Sequence, residues 1–465
     1  MFQPSFPTDD LRGAEYNPRA IASDALERLQ ASITTIGFAK PIIVTQAGLI
    51  VVGHQRTKAS RALKRPNVPA WVLKDISVYD EVRFNQLHNG TDLDDIDHPV
   101  RVPCSIALGF ADVPGEQVNG NLRSVGAVIR KEICELLAKY GNWGGAVATQ
   151  DGLVLSGQQY ALCCKLLDMP CRTFYVPNAK AQEARDFFMA RYGEFSYGHL
   201  PKTTWLQTFA QMMRLRNEDD PDKKDNASTL YKTLAIPRLT KEMRILDFGC
   251  GQGDYVRSLR SKGYQIQGME FFYRKGNSLD PAAVHKMADD LCRSLRLDGL
   301  FDVVVCDSVL NSTDSLQAER DVMACCNAFT KPGGMVFLSG RRMDRVESQL
   351  RHTQQKAGGR QVEFVDQDGF TALFRKGAWF YQKFHTQAQA EALMAEWIGP
   401  CLIYQNGQTT SFQMAAKKTK ELPADLLEGA IMREFNLPWP EGKTVGKGEK
   451  VWETFKQLAA RGDQA

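Results

Sequence analysis

Three alternate glycines that follow a short apolar run have the spacing most indicative of chemistry in this sequence. The run ends at Asp247, and the glycines are Gly249, Gly251 and Gly253. Glycine takes backbone dihedrals that a β-carbon forbids and lets the backbone approach a ligand closely, as in turns that join a strand to a helix at a cofactor. These four residues are therefore candidate cofactor-binding residues.

Two further apolar runs end in carboxylates. The run at 266–269 ends at Glu270, 19 residues after Gly251, and an acid at this spacing in a doubly wound sheet reaches ribose hydroxyls. The run at 301–306 ends at Asp307, and Asn311 follows it. Because ligands bind at the carboxyl edge of open α/β sheets, Asp307 and Asn311 are candidate catalytic residues.

The pattern Leu-Asp-Phe-Gly-Cys-Gly-x-Gly at 246–253 resembles the first motif of class I S-adenosylmethionine-dependent methyltransferases. It is less similar to the Gly-x-Gly-x-x-Gly fingerprint of dehydrogenases. The resemblance extends over about 241–417. It implies an α/β fold with a doubly wound, Rossmann-like sheet, S-adenosylmethionine as cofactor, and methyltransferase activity.

The resemblance also implies roles for single residues of this stretch. Glu270 would accept both ribose hydroxyls, and either Asp289 or Asp290 would face the adenine amine. Asp307 and Asn311 would face the transferred methyl group. The methionine part of the cofactor would be bordered by residues of the glycine turn: Asp247, Gly249 and Gly251.

The residues after the fourth apolar strand depart from two well-known patterns. Enzymes of this fold that methylate amino groups of DNA usually carry Asp/Asn-Pro-Pro-Tyr there, and cytosine-carbon enzymes carry Pro-Cys. This sequence has Asp-Ser-Val-Leu at 307–310. Base methylation by those two routes is therefore not expected, and the turn is more similar to methyltransferases associated with DNA-modification systems.

The N-terminal half repeats itself at an offset of 104 residues. Residues 45–49 (Thr-Gln-Ala-Gly-Leu) align with 149–153 (Thr-Gln-Asp-Gly-Leu), and Gly-His-Gln at 53–55 aligns with Gly-Gln-Gln at 157–159. Several matches at one offset predict a duplicated folded unit. In the first copy, Ser23 predicts a helix start, a hairpin follows over 41–52, and a second helix begins at Gly53.

The start of that second helix is a candidate anion site. Backbone N–H groups at a helix N-terminus favour anions, and Arg56 could add a bidentate phosphate contact, although it could instead pair with a neighbouring carboxylate. The Asn-Pro-Arg at 17–19, the hairpin and this turn resemble the ParB/sulfiredoxin-like N-terminal domain over about 9–93. The residues that the resemblance implies for nucleotide or DNA binding are Arg19, Gly53, His54, Gln55 and Arg56.

This resemblance implies a small α+β unit whose ligand is DNA or a nucleotide, with a nucleoside triphosphate as one option. The second copy has Tyr160 where the first has Arg56, so we interpret it as a degenerate partner. Its role could be packing, pairing with the first copy, or shaping a groove between them. The sequence does not choose among these.

Bulk composition bounds the class of protein. The 465 residues, 43% hydrophobic and 24% charged, predict a folded protein of several domains. A net charge of +4 does not identify a polyanionic partner, and the eleven cysteines lack metal-ligand spacing, so reduced thiols and no metal are expected. Without a secretory or membrane-spanning pattern, we expect a cytoplasmic protein; oligomers are left open.

A charged, proline-containing run at 218–225 predicts a linker, and 204–216 predicts an amphipathic connecting helix. We predict four regions: 1–100 as the ParB-like domain, 101–217 as its degenerate second copy, 228–420 as the methyltransferase domain, and 421–465 as a helical extension. The expected function is methylation of DNA or another nucleic acid or nucleotide. The alternatives are a DNA-binding regulator with a non-catalytic cofactor domain, and a small-molecule or protein methyltransferase.

Overall fold

The computed structural model divides the chain into two compact units. The N-terminal unit comprises Met1–Leu200, Asp344–Gln367 and Leu373–Lys376, and the C-terminal unit comprises Pro201–Met343, Asp368–Ala372 and Gly377–Ala465. The structure describes residues 1–15, 17, 19–90, 98–190, 192–202, 215, 226–276, 278–350, 363–375, 377–406 and 410–460. The predicted linker at 218–225 and, apart from residue 215, the predicted connecting helix at 204–216 lie outside these residues. The division into four regions stays a prediction.

The N-terminal unit contains two four-stranded sheets, each with helices. The first half has β1 (Phe2–Pro7), β2 (Arg19–Ala20), α1 (Ser23–Thr35), β3 (Ile42–Thr45), β4 (Ile50–Val52), α2 (His54–Ala62), β5 (Asn67–Leu73) and α3 (Val78–Gly90). The second half has β6 (Gly109–Val113), α4 (Ala127–Tyr140), β7 (Ala146–Thr149), β8 (Val154–Ser156), α5 (Gln158–Leu166), β9 (Cys171–Val176), α6 (Ala181–Met189) and β10 (Glu194–Phe195).

The two halves have the same element order and the same sheet topology. The sheets run β1-β5-β3-β4 and β6-β9-β7-β8, and β7, β8 and α5 each lie 104 residues after β3, β4 and α2. Both hairpins carry a register irregularity at the same place, after the pairs Ile43↔Val52 and Val147↔Ser156. The repeated sequence thus folds into repeated elements, whereas an origin by duplication stays a prediction.

The halves pack against each other inside the N-terminal unit. The Arg83 guanidinium of α3 donates to Glu132 of α4 at 2.6 Å, and the Trp71 indole N–H donates to the Tyr140 carbonyl oxygen at 3.0 Å. One apolar cluster contains buried residues of both halves, such as Phe84 and Leu136. Of the roles that the sequence left open for the second half, packing against the first is therefore observed.

The C-terminal unit is built around a mixed sheet with helices on both faces. The strands are β11 (Arg244–Phe248), β12 (Gln265–Met269), β13 (Arg274–Lys275), β14 (Ser278–Leu279), β15 (Phe301–Cys306), β16 (Thr330–Arg342), β17 (Phe370–Arg375), β18 (Ala378–His385), β19 (Cys401–Asn406) and β20 (Ser411–Lys417). The helices from residue 254 on are α7 (Asp254–Ser261), α8 (Pro281–Asp298), α9 (Leu316–Phe329), α10 (Met343–Leu350), α11 (Gln387–Trp397), α12 (Ala424–Glu434) and α13 (Gly448–Ala460).

The sheet order brings the carboxyl ends of several parallel strands to one edge. It runs β12-β11-β15-β16-β18-β17, and β20 pairs antiparallel with both β16 and β19. Phe248 lies opposite Met269, and Cys306 lies opposite Leu338, so β11, β12 and β15 end side by side with β16. The predicted doubly wound α/β sheet is confirmed.

Local sequence explains why the helices of this unit begin where they do. The Ser315 hydroxyl accepts the Ala318 N–H at 3.2 Å before α9, and the Asp280 carboxylate accepts the Ala283 N–H at 3.1 Å before α8. Such side chains replace hydrogen-bond partners that the first turn of a helix lacks. Strand β15, buried along nearly its whole length, is typical of a central parallel strand covered on both faces.

A buried glutamate gives this unit a testable dependence of stability on pH. Burial raises the pKa of Glu434 to about 8, and the negative charges of Asp321 and Asp314 act in the same direction. The folded state therefore favours the protonated acid. Stability from this group is complete below the unfolded pKa near 4.5 and is lost, by about 1.4 kcal/mol per pH unit, as the pH rises towards 8.

We expect Glu434→Gln, which mimics the protonated acid, to match the parent near about pH 4.5 and to exceed its stability at about pH 9. Urea unfolding of both proteins at the two pH values measures the difference in free energy of unfolding. A difference that stays constant between the two pH values would contradict the assigned cause.

Candidate functional site

The carboxyl edge of the sheet holds most of the residues that the sequence singled out. Gly249 follows β11, Glu270 follows β12, and Asp307 follows β15. Because these strands are parallel and adjacent, the three residues lie at the same edge. This is the edge at which open α/β sheets bind ligands.

The glycine turn has the backbone geometry that glycine permits. Gly249, Gly251 and Gly253 have φ values of 80°, 58° and 72°, in the left-handed region. A β-carbon at Gly249 would overlap the Val309 side chain, whereas one at Gly251 would meet nothing within 4 Å. The turn therefore packs closely on one side and leaves open space at Gly251, where the phosphate-free, methionine-bearing nucleoside of the expected cofactor would fit.

The Glu270 carboxylate lies against the glycine turn. One oxygen accepts the Gly251 N–H at 2.9 Å and the other accepts the Phe272 N–H at 2.9 Å. These bonds fix the orientation of a side chain that is only 5% exposed. A carboxylate has about four acceptor sites, so both oxygens keep the capacity to accept ribose hydroxyls.

Asp307 is held by two serines at the end of β15. Its Oδ1 accepts the hydroxyls of Ser339 at 2.6 Å and Ser308 at 3.2 Å, and the Ser308 N–H donates to the Ser339 hydroxyl at 2.8 Å. Ser308 has a φ of 64°, unusual for a residue with a β-carbon, and such strain is common in functional turns. Asn311 lies half-buried in the following 3₁₀ turn, Leu310–Ser312, and its amide has no hydrogen bond among the described residues.

Asp289 and Asp290 lie within helix α8 rather than at a strand end. Asp289 forms ion pairs with Lys447 at 3.0 Å and Lys450 at 2.8 Å, which tie α8 to the C-terminal residues. Asp290 pairs at 2.5 Å with Lys286 and at 3.1 Å with an arginine of the same helix. This placement does not support contact with adenine, and the assignment of either acid to the cofactor stays a prediction.

Tyr231 is a candidate site residue that the sequence analysis missed. It lies in a π-helical segment, Leu230–Ala235, of a kind often found at functional sites. Its ring stacks on Tyr255 with centroids 3.9 Å apart, and burial and the neighbouring Asp247 carboxylate raise its pKa well above the usual range. No sequence signal distinguished Tyr231, because an aromatic residue among leucines is typical of a core helix.

A second missed feature is a buried histidine and glutamate pair. The His385 Nε2 atom lies 2.5 Å from the Glu319 carboxylate, and both side chains are buried. The two residues are 66 positions apart in the sequence, one at the end of β18 and one in the first turn of α9. Only the packing of α9 on the sheet brings them together, so a motif search does not find them.

In the N-terminal unit, the predicted anion site has two features that favour structure. Gly53 takes a φ of 104° before α2, as a turn of this kind requires. Burial lowers the pKa of His54 to about 4, and its Nε2 accepts the Ala14 N–H at 3.2 Å. The ring is therefore neutral at physiological pH and supplies no positive charge for a phosphate group.

Arg56 donates to the backbone of its own half. Its guanidinium bonds the carbonyl oxygens of Lys40 and Pro41, the latter at 3.1 Å. The counterpart Tyr160 accepts the N–H of Gly144, the position equivalent to Lys40, at 3.1 Å. Both side chains thus brace the same segment before the central strand.

The other predicted residues of this site add little charge. Gln55 is buried in the first turn of α2, and Arg19 lies in β2 with its side chain outside the described residues. Their roles in nucleotide or DNA binding stay predictions.

Two classes of site are absent from the described part of the chain. No group of three histidine, cysteine, aspartate or glutamate residues there has the arrangement of a metal site. None of the described helices combines the length and the apolar character needed to span a bilayer.

Comparison with known proteins identifies two domains. The ParB N-terminal domain family model matches residues 4–89, and the methyltransferase domain model matches residues 222–377. The chain therefore carries a ParB N-terminal domain and a methyltransferase domain, as the two resemblances predicted. Enzymes with this second domain use S-adenosylmethionine as methyl donor.

Similar curated proteins include ubiquinone biosynthesis O-methyltransferases. The enzyme of Burkholderia cenocepacia is 31% identical over 106 residues, which are 21% of this chain and 43% of that protein. The enzyme of Burkholderia thailandensis is 31% identical over 107 residues, with the same shares. The chain thus spans less than half the length of the curated relatives it matches.

Among solved structures, an S-adenosylmethionine-dependent methyltransferase from Methanosarcina mazei is 18% identical, with a TM-score of 0.28. The match covers 41% of this chain and 98% of that one. A likeness at this level adds nothing to the conclusions from the family models.

Proposed function

We propose that this chain transfers a methyl group from S-adenosylmethionine to DNA or to another nucleic acid or nucleotide, which the ParB domain recruits. One observation carries the proposal: the glycine turn leaves open space at Gly251, and the Glu270 carboxylate is bonded directly to that turn. This is the arrangement expected for a ribose-bearing cofactor at the carboxyl edge of the sheet.

Each residue has a defined task in this proposal. Asp247, Gly249 and Gly251 border the methionine part of the cofactor, and Glu270 binds the ribose. Asp307 and Asn311 face the acceptor atom. Methyl transfer is an in-line displacement from an already activated donor, so alignment and exclusion of water supply most of the acceleration, and proximity alone can contribute several kcal/mol.

The experiment is transfer of radiolabelled methyl groups from S-adenosylmethionine to separate pools of DNA, RNA, nucleotides, small metabolites and proteins. The proposal expects label in a nucleic acid or nucleotide pool. Cofactor binding with no label in any pool would instead support a DNA-binding regulator that senses the cofactor. Label in the protein pool alone would overturn the proposed acceptor.

A second candidate function is methylation of a small-molecule hydroxyl. The names of the Burkholderia relatives favour it, since their similarity to this chain is 31% over the matched stretch. A hydroxyl acceptor requires a proton acceptor at the site. Label in the small-metabolite pool would support this candidate.

The ParB turn gives a prediction for the partner. If the Arg56 guanidinium also contacts phosphate, Arg56→Ala should weaken binding of DNA or of a nucleoside triphosphate by about 1.5–3 kcal/mol and leave the affinity for S-adenosylmethionine unchanged. The loss should shrink as salt rises, because phosphate contacts are screened. Fluorescence anisotropy with labelled DNA and nucleotide at two salt concentrations measures it.

Tyr160→Phe is the matched control for this prediction. It removes a bracing hydrogen bond at the equivalent position of the second half but no positive charge. Thermal unfolding of both variants shows whether loss of the backbone contacts alone affects the fold. If Arg56→Ala binds both ligands as the parent does, the turn is structural and nucleic acid loses its main support as acceptor.

A further inference from the structure

The Tyr231 hydroxyl lies on the sheet face that carries the two acidic residues of the candidate site. Side chains alternate across a strand, so Asp247 shares its face with Ile245, and Asp307 continues the face of Val305. Tyr231 packs in one apolar cluster with Ile245 and Val305. The phenol ring therefore covers this face directly below the carboxyl edge.

The hydroxyl of this buried phenol is close to negative charge. It lies beside the Asp247 carboxylate without closing a regular hydrogen bond to any described residue, and the charge of Asp307 also acts on it. Tyr231 is only 1% exposed. Buried polar atoms nearly always have partners, so an unpaired one at a sheet edge indicates a ligand.

The surroundings hold the ring firmly in place. The stacked partner Tyr255 accepts the Ser228 N–H on its own hydroxyl at 2.8 Å. The Tyr231 ring is fixed from one side by this stack and from the other by the apolar cluster, which leaves its hydroxyl as the group that can meet a ligand. Burial and the adjacent carboxylates keep this phenol protonated, because they raise its pKa.

Two carboxylates and a phenol oxygen attract a positive charge. We propose that Tyr231 and Asp247, with Asp307 on the far side, form a subsite for the sulfonium centre of the methyl donor and distinguish it from the neutral thioether product. This inference rests on the proposed function and adds the ligand charge that the site selects. Tyr231 acts in it as a positioning residue.

The reaction itself gives the subsite a purpose. When the acceptor atom forms its bond to the methyl group, the carbon–sulfur bond breaks and its electron pair stays on sulfur, which becomes a neutral thioether. The acceptor gives up a proton. The attraction between sulfur and the subsite then falls, so the product is held less tightly than the donor and leaves.

The test compares the affinities of the full chain for S-adenosylmethionine and S-adenosylhomocysteine by calorimetry. In the parent, the positively charged donor should bind more tightly. Tyr231→Phe keeps the ring stack and removes the hydroxyl, so the preference for the donor should fall several-fold while the thermal midpoint changes little. Tyr255→Phe, which removes the neighbouring hydroxyl but not the stack, should leave the preference unchanged.

Asp247→Asn is the second variant, and it should lower the same preference because a charge is lost at nearly constant size. An unchanged preference in both Tyr231→Phe and Asp247→Asn, with the parent binding both ligands, overturns the inference alone. A parent protein that binds neither ligand overturns the proposed function as well.

Discussion

We expect Glu270→Ala to weaken S-adenosylmethionine binding by about 1.5–3 kcal/mol, the range for hydrogen bonds to a charged group. The Glu270 carboxylate is already oriented by the N–H groups of Gly251 and Phe272, so its acceptor sites are in place before the ribose arrives. The alanine variant loses both the ribose contacts and the brace on the glycine turn. Calorimetry with the full chain measures the change in dissociation constant.

Asp290→Ala is the matched control for this variant. Asp290 is an acid of the same unit that pairs with Lys286 and Arg293 on the surface of α8. Its replacement should leave cofactor affinity unchanged if the ion pairs are its main task. If Glu270→Ala binds as the parent does, another acid holds the ribose; a loss of affinity in Asp290→Ala would restore its assignment to adenine.

We also expect Asp307→Ala and Asn311→Ala to lower turnover by about 10²-fold, the effect of misplacing reacting groups by roughly 1 Å. Asp307 is oriented by Ser339 and Ser308, and Asn311 lies in the turn that follows. Because both residues face the acceptor in the proposed function, cofactor affinity should change less than turnover. Steady-state kinetics together with calorimetry separate the two effects.

Ser339→Ala is the control for the orientation of Asp307. It removes the 2.6 Å hydrogen bond to the carboxylate but leaves the charge in place, so turnover should fall by less than in Asp307→Ala. Equal losses of turnover and cofactor affinity in Asp307→Ala would place this residue in the cofactor pocket instead.

The parts of the site that could be predicted from the sequence are those fixed by local pattern. The glycine turn is encoded within a few residues, since only glycine readily takes its φ values, and parallel pairing then places Glu270 and Asp307 at the same edge. The strand and helix order follows from apolar runs in the same way. Strand β19, whose residues are mostly half-exposed, carries no such pattern and was not predicted.

The rest of the site depends on tertiary contacts that sequence spacing does not reveal. Tyr231 reaches Asp247 only because its segment folds onto the sheet face. Asp289 is engaged by Lys447, 158 residues later in the chain. Arg56 was assigned to phosphate by its motif, whereas the structure engages it with carbonyl oxygens 15 and 16 residues earlier.

The measurement that tests the central claim most directly is calorimetric titration of S-adenosylmethionine into the full chain, with Gly251→Ala in parallel. The account predicts one bound cofactor per chain for the parent. It predicts a folded Gly251→Ala variant with little or no binding, since the added β-carbon meets no protein atom within 4 Å and points into the space assigned to the cofactor. No binding by the folded parent, or equal binding by both proteins, would contradict it.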